Sequence, residues 1–73
     1  MTINTESKLA LHIETWRRRH RKSSWTAMFI EAGLAPGTAI PIRNGKANYM
    51  PRLETLDKLA EYMGEYRQYL REL

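Results

Sequence analysis

The chain has 73 residues, a formal net charge of +4 and no cysteine. A core of that size leaves no room for an enclosed active site of the usual dimensions, and without cysteine there is neither a disulfide nor a thiolate metal site, so stability must come from helix packing or from a partner subunit. No apolar run approaches the ~20 residues that span a bilayer, and the amino-terminal MTINTESK has neither the basic stretch nor the apolar run of a signal peptide; the expectation is a cytoplasmic protein.

The positive charge is concentrated in the middle. Between Arg17 and Arg52 eight basic residues (Arg17, Arg18, Arg19, Arg21, Lys22, Arg43, Lys46, Arg52) accompany one acid, Glu31, for a local +7, and the flanks sum to −3. A basic centre between mildly acidic ends is the footprint of a polyanion-binding face, although a solvated basic surface has the same composition.

In chain order, Met1 to Asn4 read as a loose arm, with Asn4 or Thr5 available as a helix cap and Glu6 placed against the positive end of the helix dipole. Leu9, Ile13 and Trp16 recur at i, i+4 and i+7, which predicts a helix with one buried stripe. Its carboxyl end is Arg17-Arg18-Arg19-His20-Arg21-Lys22, where cations suit the dipole, and the helix should stop before Ser23-Ser24. Ser24 caps a second helix in which Trp25, Met28, Phe29 and Ala32 form the apolar face. Gly33 ends it, since a glycine directly after the last periodic residue takes the left-handed conformation of a helix terminus, and Leu34 folds back on the core. Pro36 can open a third helix with Ala39 and Ile42 facing inward.

Asn44-Gly45 turns the chain, Lys46 to Met50 form a loop carrying Asn48 and Tyr49, and Pro51 opens a fourth helix. Leu53, Leu56, Leu59, Ala60 and Met63 supply its buried face and Gly64 ends or bends it. In a last helix, over about 65–73, Tyr66, Tyr69, Leu70 and Leu73 fall at i, i+3, i+4 and i+7. This stripe is expected to pack partly on its own domain and partly on a two-fold mate. The expected core is Leu9, Ile13, Trp16, Met28, Phe29, Leu34, Ala39, Ile42, Leu53, Leu56 and Leu59.

The stretch from Ser24 to Asn44 resembles the helix-turn-helix of the lambda-repressor-like (Xre-type) regulators. The resemblance is carried by Ala32-Gly33-Leu34, Thr38, Ile42 and Asn44-Gly45-Lys46, and continues downstream in Pro51-Arg52-Leu53-Glu54-Thr55-Leu56 with Lys58-Leu59-Ala60. It implies an all-α fold, a single five-helix domain, and a homodimer bound to double-stranded DNA. The function implied is a repressor of a mobile element or of its own operon. It also implies where DNA would be met: Arg18, Arg19, Arg21 and Lys22 on phosphates, Ser24 and Trp25 at the entry of the second helix, Gly37 and Thr38 at the start of the third, Arg43, Asn44, Lys46 and Asn48 at and beyond its end, and Arg52 toward the minor groove. No cofactor, metal or catalytic residue is implied.

Departures from the family pattern sharpen the expectations. Phe29 stands where the family has alanine and Ala39 where it has isoleucine or valine, an exchange of volumes that keeps the pair packed. The positions that read bases in the family are Pro36, Gly37, Thr38, Ile40 and Pro41 here, and only Thr38 is polar. Pro41 in a helix interior would cost on the order of 3 kcal/mol, so the third helix should be short, kinked or late to start. Arg43 replaces a glutamate that pairs with a first-helix arginine, here Arg18, which releases one or both cations toward phosphate.

Outside that pattern the residues read as ordinary surface. His12 and His20 lie roughly 12 Å apart along one helix, too far to share a metal ion, and the acids Glu54, Glu61 and Glu65 suit i, i+4 pairing with Lys58. The alternative to a DNA-binding regulator is a protein-interaction module, such as an anti-activator, antirepressor or antitoxin-like protein, that keeps the fold and presents Ile30, Ile40 and Pro41 to a regulatory protein partner.

Overall fold

A computed structural model describes residues 7–44 and 51–73 and shows an all-α protein. In order, α1 is Lys8–Arg19, α2 Trp25–Glu31, a 3-10 turn Pro36–Thr38, α3 Ala39–Asn44, α4 Leu53–Met63 and α5 Arg67–Arg71, with no strand among the described residues. None of these helices is long and apolar enough to cross a membrane.

Local chemistry sets the boundaries. Ser7 caps α1, its Oγ accepting from the Ala10 amide at 3.1 Å. This replaces the expected Asn4 or Thr5, which with Glu6 lie outside the described residues. Ser24 caps α2 in the same way through the Ala27 amide, as its position before Trp25 predicts.

Three helices end in the same turn, in which a left-handed residue and the one after it donate back to the helix's last carbonyls. In α2, Gly33 (φ +83°) donates to Ile30 and Leu34 to Phe29; in α4, Gly64 (φ +73°) donates to Glu61 and Glu65 to Ala60. After α1, Arg21 donates to Arg18 and Lys22 to Arg17, so the left-handed position is occupied by an arginine at φ +54°.

Pro41 is accommodated by splitting the third helix. Pro36 opens the 3-10 turn, and α3 begins only at Ala39, so Pro41 falls in its first turn, where a missing amide donor removes no intrahelical bond. Of the three expected outcomes, a short, a kinked or a late-starting helix, the chain adopts a short helix that starts late.

The core consists of Ala10, Ile13, Trp25, Met28, Phe29, Ala39, Ile42, Leu56, Leu59, Ala60, Met63 and Leu70, with Phe29, Ile13 and Met28 fully enclosed. Phe29 and Ala39 belong to this one cluster, and α2 packs on α3. Four expected core residues sit further out. Leu9, Trp16 and Leu34 are half-buried against the cluster, and Leu53 is 58% exposed. On α1 the inward face is Ala10, Ile13 and Glu14 rather than Leu9 and Trp16, because a small residue lets neighbours approach and a fully paired acid can be enclosed. Leu53 shares the stripe of Leu56 and Ala60 but stands in the first turn of α4; periodicity names a face and not how far along it the neighbouring helices reach.

The C-terminal element, Arg67–Arg71, is shorter than expected and packs chiefly on α4. Its stripe divides. Leu70 is 1% exposed and closes this chain's own interior, a correction to its assignment as a dimer contact, whereas Leu73 is half-buried against the core and Tyr66 and Tyr69 are 87% and 49% exposed.

Candidate nucleic-acid interface

The electrostatics are organised around an acid the sequence reading passed over. Glu14 is 7% exposed. Its carboxylate accepts from Arg17 Nε (2.8 Å) and Nη2 (2.7 Å), Arg18 Nε (2.6 Å) and the Trp25 indole Nε1 (2.8 Å). Arg17 also donates from Nη1 to the Lys22 carbonyl at 2.9 Å, tying the exit of α1 to the start of α2. The hydrogen bonds from Arg17, then Trp25 and Arg18, outweigh burial and hold the Glu14 carboxyl at about 2 instead of 4.5. Half of this cluster was visible beforehand, since Arg17 and Arg18 stand three and four residues after Glu14. Its union with Trp25 required the folded chain.

One expectation is thereby corrected and another qualified. The Trp25 indole N–H is buried and bonded to Glu14, so it does not face phosphate. Arg18, 74% exposed, shares that carboxylate with Arg17 through its Nε, so the missing family glutamate does not leave it wholly without an acid.

Lys22 is also engaged. Its ammonium lies 3.3 Å from Glu31 and 5.5 Å from the Tyr62 ring centroid, and the Tyr62 hydroxyl donates to Glu31. Tyr62 and then Glu31 raise the Lys22 pKa, Tyr62 and then Lys22 lower that of Glu31, and burial followed by Glu31 raises that of Tyr62. Trp16 packs beside Tyr62 and stacks on His20, with ring centroids 3.9 Å apart in the second pair. Lys22 therefore keeps its charge in a surface ion pair with Glu31, unlike the cations of the belt that have no acid beside them.

The remaining basic residues of the belt are placed differently. Arg19, Arg21 and Arg52 are exposed and make no ion pair among the described residues. Arg43, at the end of α3, is half-buried, and its Nε is fully enclosed without a hydrogen-bond partner among those residues. On the 3-10 turn and α3, Thr38 and Asn44 are half-buried, Gly37 is exposed with open space where a Cβ would stand, and Ile40 is 50% exposed. Ser24 is exposed, with its hydroxyl oxygen committed to the helix cap. Lys46 and Asn48 lie outside the described residues.

Elsewhere the acids find partners near the C-terminus. Asp57 meets Arg71 at 2.9 Å and Arg67 at 3.8 Å, joining α4 to α5, and Lys58 pairs with Glu54 at 3.6 Å as the i, i+4 spacing predicts. Glu65 lies beyond α4 and takes His12 Nε2 at 2.6 Å instead of Lys58, so α1 is fastened to the turn before α5. Tyr69 adds an edge contact to His12 at 5.1 Å between ring centroids. Arg19, Arg21, Arg43 and Arg52 of the central segment are left without acids among the described residues, as is Lys8 at the start of α1.

No protein-family model matches the chain, and no curated protein or solved structure matches it significantly.

Proposed function

We propose that this chain is a small sequence-specific double-stranded DNA-binding regulator of the lambda-repressor-like helix-turn-helix kind, acting in the cytoplasm as a homodimer that represses a mobile element or its own operon. The observation that carries the reading is Arg21. At an equivalent turn two other helices of this chain use glycine, yet here an exposed arginine holds a left-handed backbone that disfavours any side chain, and it makes no ion pair among the described residues. Strain of that sort is retained where the side chain itself is needed.

Around it, Arg19, Arg43 and Arg52 are the other belt cations without acids among the described residues, and the Gly33 turn joins α2 to the split third helix in the order the family uses. Phosphate contacts dominate in this reading and base reading is sparse, confined to Thr38, Arg43, Asn44 and Lys46. About five phosphate contacts would give a log-affinity slope of about −4 to −5 against log salt, and the four belt cations without an acid among the described residues, Arg19, Arg21, Arg43 and Arg52, would by themselves give a slope of about −3.6. Fluorescence anisotropy of the protein on duplex DNA from upstream of its own gene, across a salt series, tests this. Salt-sensitive binding of that steepness supports the proposal; binding to no duplex at low salt refutes it.

A second reading draws on Ile30 and Ile40, 58% and 50% exposed. Solvent-facing isoleucines on α2 and α3 suit an interaction module that binds a regulatory protein in place of bases. A chain inert toward duplex DNA, whose complex with a purified protein partner is lost on Ile40→Asp, would establish that alternative.

A further inference from the structure

The third helix shows solvent more hydrocarbon than hydrogen-bonding groups. Of the six residues of α3, Ala39 and Ile42 are buried, Pro41, Arg43 and Asn44 are half-buried, and Ile40 alone is exposed, at 50%. Ala39 and Ile42 belong to the core cluster, which fixes the rotation of the helix and with it the outward aim of Ile40. Asn44 follows Ile40 by four residues, so the two share one side of α3, about 6 Å apart along its axis. Gly37, in the turn before α3, is exposed and adds no side chain of its own. Ile40 is therefore the group that this element offers most openly to a partner.

We infer that Ile40 is a specificity-determining residue that recognises the C5 methyl group of thymine in the major groove. The inference rests on the DNA-binding reading and adds an apolar base contact to the polar ones from Thr38, Arg43, Asn44 and Lys46. Among the groups a base pair presents in the major groove, the thymine methyl is the apolar one. Covering the cytosine N4 amine with hydrocarbon would instead leave a donor without a partner, which disfavours cytosine at the same place. A β-branched side chain is stiff at χ1, so Ile40 loses little freedom when it is covered. The duplex that supplies the methyl group is the one that the exposed Arg19, Arg21 and Arg52 attract.

Deoxyuridine in place of thymine removes the methyl group and keeps the base pair. Anisotropy on the duplex from upstream of the protein's own gene, with each thymine replaced in turn, is expected to show a loss of about three- to five-fold at one thymine, or at one in each half-site of a dimer. That is the weight of one methyl-sized group removed from water. Ile40→Ala is expected to bind the unmodified duplex more weakly by a similar factor and to ignore that replacement. It should also keep the wild-type slope against log salt, because no phosphate contact is lost. Ile30→Ala, on α2, should retain the thymine dependence. A wild type that binds DNA and feels the loss of no thymine methyl overturns the inference alone, as does a thymine dependence that persists in Ile40→Ala. A wild type that binds no duplex overturns the DNA-binding reading and this inference with it, and leaves the exposed Ile40 to a protein partner.

Discussion

Replacing Arg21 with glycine should make the protein more stable and a weaker DNA binder at once. Arg21 holds φ +54° at the turn after α1, where Gly33 and Gly64 serve the same purpose after α2 and α4. A left-handed L-residue costs about 1–2 kcal/mol, and glycine returns about 0.5–1 kcal/mol of that through the greater freedom of its unfolded chain. The net gain for Arg21→Gly is about 0.5–1 kcal/mol, which at this chain length raises Tm by roughly 2–8 °C. Arg21→Ala separates backbone from side chain: it keeps the left-handed penalty and should stay within about 0.5 kcal/mol of wild type. Both variants lose the same cation and should bind duplex DNA with a slope shallower by about 0.9. Thermal unfolding by circular dichroism and anisotropy over a salt series read the two effects separately. An Arg21→Gly protein no more stable than Arg21→Ala refutes the strain argument, and unchanged DNA binding by both removes the reason for keeping an arginine there.

Stability should fall in acid through Glu14. Its folded pKa is depressed to about 2 from 4.5, so its contribution is complete above pH 4.5 and is lost as pH falls toward 2. The loss is on the order of 3 kcal/mol. Urea midpoints across that window should fall steeply in wild type and much less in Glu14→Gln, and parallel curves would show that another group governs acid unfolding. Phe29→Ala should cost ~3 to 5 kcal/mol, and adding Ala39→Ile should recover part of it if the two fill one space between α2 and α3, whereas strictly additive effects count against that pairing. Leu70→Ala should destabilise the chain by about 2 to 5 kcal/mol, while Tyr69→Glu should leave folding intact and shift sedimentation toward monomer; a wild type that is monomeric at high concentration, with and without DNA, rules the dimer out. Arg52→Ala should weaken binding most on duplexes with an A·T-rich tract, whose narrow minor groove concentrates negative potential, and an equal loss on all sequences would reassign Arg52 to a phosphate.

How much of this was legible in the chain depends on the range of the physics involved. Ser24 before Trp25, Gly33 after Ala32 and Gly64 after Met63 marked helix ends correctly because a cap or a left-handed turn is decided within four or five residues. Pro41 likewise foretold a late third helix, since its constraint acts on its own turn. The inward choice of Met28, Phe29, Ala39, Ile42, Leu56 and Leu59 followed from 3.6-residue spacing, which holds wherever a helix has one covered side. Trp16 and Leu53 obeyed the same spacing and were not enclosed, because enclosure also needs a neighbour opposite.

The candidate interface was read less completely. Counting charge placed a +7 segment between Arg17 and Arg52, and that count stands. It could not tell that Glu14 would be enclosed with Arg17, Arg18 and the Trp25 indole, or that Lys22 would settle between Glu31 and Tyr62 from α2 and α4. The sequence by itself therefore determined the start of α2 and the ends of α2 and α4, which helix faces are apolar, and that the basic residues cluster in the middle, since each of these depends on neighbours along the chain. Only the tertiary structure decided which of those cations lie beside an acid and which do not, because a charge is offset by whatever acid lies within about 4 Å in space, and that acid is brought there by the packing of helices whose order along the chain does not specify it.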